Sequence, residues 1–552
     1  MQISSVTTDV LIIGAGAAGL AAALTAYHAG ATVTIIEKGD RLGGTAAISG
    51  GIVWVADNPQ MKAAGMADSA EDALAYFHAL DHGEMDADVL SAFVNEGPAA
   101  LSFLAQAGAL SLSILPGYPD YYLDRPGAKS GGGRALDNDL FDFKLLGEWA
   151  DKVFHGGDIY RLMLRETPLG GGSGIIDPSE MQRRTQEDLR GFGQALVGRL
   201  LKACLDRGIE PVLTCKAHKL LIDNGRAIGA EFVHEGERKT ALASRGVILA
   251  TGGFEWNEEL KKTFLRGPLD APASPPSNQG DGLKMAMSVG AGLGNMTSAW
   301  WVPTLSANSA CWPDGEPRSV PVLIERTLPH SIMVNTAGKR FCNEANNYAS
   351  LAGAFHAFDP ATYGYSNLPC FLIFDHQYRL RYPVATLMPG DPLPEWIASA
   401  DTLAGLAAKI GVDGDQLACS IAAFNEHASV AADPQFGRGQ SDYDRFYGDR
   451  SRPGAAATLG PVAVAPFYAV ELKSGALGTN GGARTDAFAQ ILDVDGDPIA
   501  GLFGAGNVIS CPTGSVYAGA GGTLGPALTF GYIAGRAAAR ALPMLEQTKE
   551  TG

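Results

Sequence analysis

Gly14-Ala15-Gly16-Ala17-Ala18-Gly19 forms a GxGxxG run between a β-branched stretch, Asp9 to Ile13, and an Ala/Leu-rich stretch from about Ala17 to Ala29. Glu37 closes the next apolar stretch, Thr32 to Ile36, 18 residues beyond Gly19. In that setting the glycines let backbone and a helix N-terminus approach a pyrophosphate, while a carboxylate at this distance accepts hydrogen bonds from a ribose. The chemistry indicated is dinucleotide binding. Other spacings point nowhere. No histidine sits in HExxH, the seven cysteines include no CxxC, and no GxSxG elbow is present. Asp493 to Asp497, DVDGD, imitates the start of a calcium loop, but its twelfth position is Gly504 rather than Glu, which reads as a β-turn.

Further glycine-rich segments follow: Arg41-Leu42-Gly43-Gly44-Thr45, Ile48-Ser49-Gly50-Gly51, VILATGG from Val247 to Gly253 and GLFGAGN from Gly501 to Asn507. On these segments the chain resembles the flavoprotein family of fumarate reductase, succinate dehydrogenase and the 3-ketosteroid dehydrogenases. The resemblance covers nearly the whole chain and implies FAD, held through Gly14, Gly16, Ala17, Ala18, Gly19, Glu37, Lys38, Gly43, Gly44, Thr45, Ser49, Gly50, Gly51, Ala250, Thr251, Gly252, Gly506, Asn507, Gly522 and Leu524. It also implies non-covalent attachment, because Gly44 stands where flavinylated relatives carry the attaching histidine. Dicarboxylate-processing members anchor their substrate with Arg and His. The corresponding stretch here, Ser515 to Pro526, has neither, so a buried dicarboxylate would lack its cations at a cost of several kcal/mol. YAGAGGTLGPALTFGY from Tyr517, GGTAAISGGIVW at Gly43 to Trp54 and RFCNEANNY at Arg340 to Tyr348 resemble instead the 3-ketosteroid Δ1-dehydrogenases.

That resemblance implies 1,2-dehydrogenation of an apolar 3-ketosteroid. The Tyr517 hydroxyl and the Gly521 N–H would polarise the ketone, Tyr348 would take the α-proton, and flavin N5 would take hydride. An unperturbed phenol titrates near ~10 and needs help to act as a base at neutral pH. A second phenol would supply it; Tyr118, Tyr121 and Tyr122 are the candidates, and Tyr121 is chosen. Gly521 and Gly522 are expected at the N-terminus of a last helix beginning near Thr523, whose positive end would face the flavin N1 and O2 edge. A Δ4-(5α)-dehydrogenase would use much the same equipment, and a flavin electron carrier without its own substrate is the alternative of another class. The expected electron acceptor is external, with a quinone as candidate.

These residues require a positioning fold. Strand, helix and strand over Asp9 to Ile36 make a βαβ unit, and short strands around Asn224-Gly225 and Glu235-Gly236 read as a meander leading into the strand Gly246 to Ala250. Between about Met296 and Tyr468 the texture turns to Trp, Tyr, Pro and Asn before strand and glycine-turn language returns. The expected fold is α/β: a Rossmann-like FAD-binding domain over 1–295 and 469–552, completed by the C-terminus, with an inserted α+β substrate domain over 296–468. Gly131 to Gly133 and Gly170 to Gly174 bracket a segment that reads as loop or surface excursion, with a helix around Phe141 to Val153.

Composition sets the outer limits. With 552 residues, 46% hydrophobic and 18% charged, the chain is globular and multi-domain. A net charge of -17 repels polyphosphate, which argues against a nucleic-acid partner. Val10 to Ile36 contains no Asp, Glu, Lys or Arg, yet its glycines divide it into strand and helix lengths too short to span a bilayer. With no basic leader, the expectation is a cytoplasmic protein, peripheral to a membrane at most.

Overall fold

The computed structural model describes residues 6–155, 158–312 and 315–542. The chain divides into two compact units, one taking the described residues of Met1–Leu265, Ser274–Ala299 and Gly478–Gly552, the other those of Arg266–Ala273 and Trp300–Leu477. The inserted unit therefore begins and ends later than the aromatic texture indicates, and it recruits a short segment, Arg266–Ala273, that composition alone does not mark.

The first unit is built on a parallel core. Strand β1 (Val6–Ile13) lies between β2 (Val33–Ile36) and the strand Glu237–Leu249, and Glu237–Leu249 pairs in turn with Pro498–Gly504. Val10, Leu11 and Ile12 are fully buried, the run expected of strands covered on both faces. Glu237–Leu249 does two jobs along its length. Its first half closes an antiparallel meander with Arg226–His234 and Cys215–Asp223, and its second half enters the parallel core opposite Val10 to Ile13. Both turn pairs, Asn224-Gly225 and Glu235-Gly236, have positive φ at both residues, as type I′ hairpin turns require.

Helix α1 (Ala17–His28) packs against the C-terminal helix Leu524–Arg540 at very short range. A Cβ on Gly531 or Gly535 would fall 2.5 or 2.3 Å from the carbonyl oxygens of Ala18 and Ala22, so only glycine allows the contact. This brings the first and last α-helices among the described residues together. No helix among the described residues is long and apolar enough to cross a membrane.

Two expectations need correction. Gly132–Asn138 is not a surface excursion but a wholly buried strand paired with Val53–Trp54 and Leu112–Pro116. Its polar side chains find partners, Arg134 in Asp68 and Asp120, Asp137 in the amides of Leu164 and Arg165, and the Asn138 amide N–H in the Gly51 carbonyl, while Asn138 Oδ1 is buried without one among the described residues. The helix expected around Phe141 to Val153 is a short strand, Phe141–Asp142, followed by 3₁₀ turns over Phe143–Lys152 that break at Gly147, where φ is 57°.

The second unit centres on a sheet in the order Pro317–Pro321, Ala299–Cys311, Phe467–Thr479, Cys370–Phe374, Ser331–Asn335. Ser331–Asn335 and Cys370–Phe374 are buried at every position. Alternation explains this: Ile332, Val334, Phe371 and Ile373 pack with Leu406, Leu417, Ile421 and Phe424 from two helices, whereas Met333, Cys370, Leu372 and Phe374 join a core containing Phe355 and Tyr378. The apolar window Leu368 to Phe374 is thus mainly core.

Beside this sheet lies a buried ion network. Arg340 grips both oxygens of Glu344 at 2.8 and 2.7 Å and both oxygens of Asp433 at 3.0 and 2.9 Å, while Arg438 reaches Glu344 at 3.2 Å. Burial pushes the Glu344 carboxyl up, but Arg340 and Arg438 outweigh it and hold its pKa below the usual range. A depressed carboxyl contributes stability that is fully present above its unfolded pKa and lost as pH falls through the folded one. Acidification below the ordinary Glu range is therefore expected to lower the urea midpoint of the wild type. Glu344→Ala, which takes the ion-pair partner from the fully buried Arg438 while Arg340 keeps Asp433, is expected to cost about 3–5 kcal/mol at neutral pH and to flatten that acid limb; an unchanged midpoint would contradict the assignment.

Candidate active site

The first part of the site is the cradle at the N-terminus of α1. Gly14 has φ 108°, and a Cβ there would sit 2.4 Å from the Ala250 carbonyl oxygen, so the loop after β1 lies directly on the end of Glu237–Leu249. At Gly16 a Cβ would approach nothing closer than 4.0 Å, which leaves room above the helix end. Helix α1 has neither a side-chain N-cap nor an acidic residue in its first turn, so the amides around Ala17, Ala18 and Gly19 remain available to an anion. Glu37 ties the two loops together, accepting from Ala15 N and Gly39 N at 2.9 Å each, with lone pairs to spare for hydroxyl donors. Lys38 is ion-paired with Asp281.

The neighbouring candidates surround the same loops. Gly43 and Gly44 both have positive φ and lead into the short helix Gly44–Ile48. Ser49 Oγ donates to Ala46 O and accepts from Gly51 N, which fixes the Ser49-Gly50-Gly51 turn, and a Cβ on Gly51 would strike Phe192 backbone at 2.4 Å. Asn278, which carried no signal in the sequence, donates to Thr45 Oγ1 at 2.8 Å and to Glu255 at 2.6 Å, and stands over Gly252. Thr251 Oγ1 is buried without a protein partner among the described residues. Gly506, with φ 75°, places its missing Cβ 3.2 Å from Ala18, and Asn507 packs on Gly478. Uncapped amides, an orphaned hydroxyl and glycine-cleared space together fit a phosphate-linked dinucleotide.

The second part is a tyrosine cluster. The rings of Tyr121 and Tyr517 are stacked at 5.7 Å with planes 17° apart, and both are buried. Tyr118, also buried, hydrogen-bonds with Tyr121; burial pushes its phenol above the usual range, so it stays neutral. Tyr122 is only half-buried. Backbone bonds hold the pair: Tyr121 N and Tyr76 OH both donate to the Ala518 carbonyl, at 3.0 and 2.9 Å. Four residues beyond Tyr517, Gly521 adopts φ 94°; its carbonyl accepts from Trp54 N and Gly525 N, while its own N–H meets no protein acceptor among the described residues. The helix Leu524–Arg540 follows, again without a side-chain cap or first-turn acid, and Gly522 lies against the Tyr517 ring. A phenol and a free amide on one short segment are two neutral donors suited to one carbonyl oxygen.

Tyr348 belongs to the second unit and is buried there. Its backbone approach is rigid: Arg326, fully buried, donates to the carbonyls of Glu344 and Asn346, and Arg340 and Arg438 fix Glu344. Reading RFCNEANNY as a motif does not expose this role for Arg340 and Glu344. No cluster of His, Cys, Asp and Glu among the described residues could hold a metal. At DVDGD, Asp493 Oδ1 accepts from the amides of Asp495 and Asp497, a turn.

Comparison with known proteins agrees with this geometry. A profile of the FAD binding domain family matches residues 9–524. The chain is 40% identical over 537 residues to a 4-oxocyclohexanecarboxylate 2-dehydrogenase of Sinomonas cyclohexanicum, covering 96% of this chain and 92% of that one. It is 37% identical to a 3-oxosteroid 1-dehydrogenase of Mycolicibacterium smegmatis, covering 95% and 96%. The crystal structure of the 3-ketosteroid Δ1-dehydrogenase of Sterolibacterium denitrificans, in complex with 1,4-androstadiene-3,17-dione, superposes with a TM-score of 0.87 at 34% identity, covering 97% and 99%.

Proposed function

We propose, since the chain belongs to the FAD binding domain family, that it is an FAD-dependent dehydrogenase that introduces the C1–C2 double bond of a 3-ketosteroid. The observation that carries this reading is the buried Tyr121/Tyr517 stack beside the unpaired Gly521 N–H, on a segment, Ser515 to Pro526, without Arg, Lys or His. Such a segment offers neutral donors to a ketone and no cation of its own to a carboxylate.

FAD, when bound, supplies the two-electron acceptor for hydride leaving C1. The chain's own residues do the rest. Tyr517 OH and Gly521 N–H hold the ketone oxygen and stabilise the negative charge that grows on it as the C2 proton leaves. Tyr348 is assigned the role of taking that proton, and Tyr121, hydrogen-bonded to Tyr118, the role of assisting phenol that the resemblance implies. One C–H bond at C2 gives up a proton and one at C1 gives up hydride, so the C1=C2 bond forms with both electrons accounted for. The candidates for holding FAD are the α1 amides with Gly14 and Gly16 at the pyrophosphate, Glu37 at a ribose, Thr45, Ser49 and Thr251 along the loops, and Gly522 and Leu524 at the C-terminal helix end.

A second reading is favoured by the 40% identity to the 4-oxocyclohexanecarboxylate enzyme: the same desaturation beside the ketone of a single six-membered ring. Anaerobic titration separates the two. Androst-4-ene-3,17-dione is expected to bleach the flavin and succinate is not; bleaching by 4-oxocyclohexanecarboxylate alone would assign the second reading. Reoxidation by a soluble quinone, faster than by oxygen, is the expected behaviour of the acceptor half-reaction.

The flavin is expected to be held without a covalent link, since Gly44 offers no nucleophile. Acid precipitation should leave a white pellet and a yellow supernatant. A yellow pellet would overturn the placement of Gly44.

A further inference from the structure

We propose that Asp120 is a positioning residue that sets the carbonyl clamp and its assisting tyrosine in one frame by bonding the indole of Trp54. This rests on the ketone-dehydrogenase reading above and assigns a role to two residues that the resemblance leaves without one.

The two oxygens of Asp120 face different partners. Oδ1 accepts from Trp54 Nε1 at 2.9 Å; Oδ2 accepts from Arg134 Nη1 at 2.8 Å and from Lys129 N at 2.9 Å. Asp120 N donates to Lys129 O at 3.0 Å, so the residue also closes its own loop, which carries Tyr118 and Tyr121 on either side. Asp120 is 3% exposed and Trp54 is 1% exposed, so this acceptor sits where water cannot replace it.

Trp54 is the bed of the clamp segment. Its N–H donates to Gly521 O at 3.2 Å, a Cβ on Gly519 would lie 2.6 Å from its Cδ1 and Nε1, and a Cβ on Gly525 would lie 2.0 Å from its carbonyl oxygen. Three glycines therefore let the segment 519–525 lie directly on this tryptophan. Arg134 covers the indole face at 5.4 Å, and Phe77 packs edge-on at 5.5 Å. Asp120 is thus the link between the bed and the Tyr121 loop, and Tyr121 N returns to the clamp through Ala518 O.

Arg134 keeps Asp68 as a second partner at 2.9 and 2.7 Å, so losing the Asp120 carboxylate does not strand its charge. Asp120→Asn should therefore fold. Asparagine has only one acceptor oxygen, which can serve Trp54 or Arg134 with Lys129 but not both. Trp54→Phe removes the same bond from the other side and keeps an aromatic bed.

The test uses the FAD-loaded wild type, Asp120→Asn, Trp54→Phe and the double variant. Anaerobic stopped flow with androst-4-ene-3,17-dione should show each single variant with a limiting flavin-reduction rate lowered at least ~10-fold, at unchanged FAD content. The double variant should be no slower than the slower single one, because both changes break one bond. Hydrogen–deuterium exchange of the same holoproteins should quicken in 117–123 and 515–525 and nowhere else. Wild-type rates with unchanged local exchange in either single variant, or multiplying losses in the double, would overturn the proposal. If Asp120→Asn loses FAD, Trp54→Phe decides alone. If the wild type itself is not reduced by the steroid, the functional reading fails, and local exchange still judges the link.

Discussion

Tyr348→Phe is expected to abolish turnover while leaving substrate binding in place. General-base removal typically costs ~10²–10⁴ in rate, and here it deletes the group proposed to accept the C2 proton. Phenylalanine keeps the ring, and Tyr348 is buried, so packing around it is retained. The steroid should still perturb the flavin absorbance at concentrations close to those needed by the wild type. Reduction of the flavin should stall, and exchange of the C2 proton with deuterated solvent should stop with it. Near-normal reduction by this variant would move the base to another residue, with the Tyr118 and Tyr121 pair next in line.

Tyr517→Phe should damage the same reaction differently. Loss of one donor to a developing oxyanion is worth ~10²–10³ in rate, and because the ketone also loses a ground-state hydrogen bond, affinity should fall together with the limiting rate. The stacking partner of Tyr121 survives, since phenylalanine presents the same ring face at 5.7 Å. A titration that gives weaker binding and slower reduction supports the clamp; weaker binding with an unaltered limiting rate would confine Tyr517 to recognition.

The contrast between these tyrosines and Asp120 shows what a sequence can disclose. The GxGxxG run, Glu37 and the I′ turn pairs are local: each is set by its neighbours within a few residues, so pattern alone places β1, α1, β2 and the meander. Tyr517 and Gly521 are readable only through the resemblance of YAGAGGTLGPALTFGY to a family signature, since no local rule singles them out. Asp120, Trp54 and Arg134 meet only after strands far apart in sequence have paired, and neither a lone Asp between tyrosines nor an Arg in a Gly-rich run announces that it is buried. The same holds for Gly132–Asn138, whose glycines suggest a loop and whose partners make it a core strand. Asn278 joins Thr45 to Glu255 across more than two hundred residues, which no spacing rule reaches.

The central claim is that the chain moves a proton and a hydride off C2 and C1 of a 3-ketosteroid, and product analysis of a single turnover tests it most directly. The FAD-loaded protein is mixed anaerobically with one equivalent of androst-4-ene-3,17-dione, flavin reduction is followed by absorbance, and the extracted steroid is identified by NMR. The expected result is one 1,4-dien-3-one formed per flavin reduced. Flavin that stays oxidised with the steroid recovered unchanged, or desaturation only of a 5α-saturated 3-ketone to the 4-ene, would contradict it.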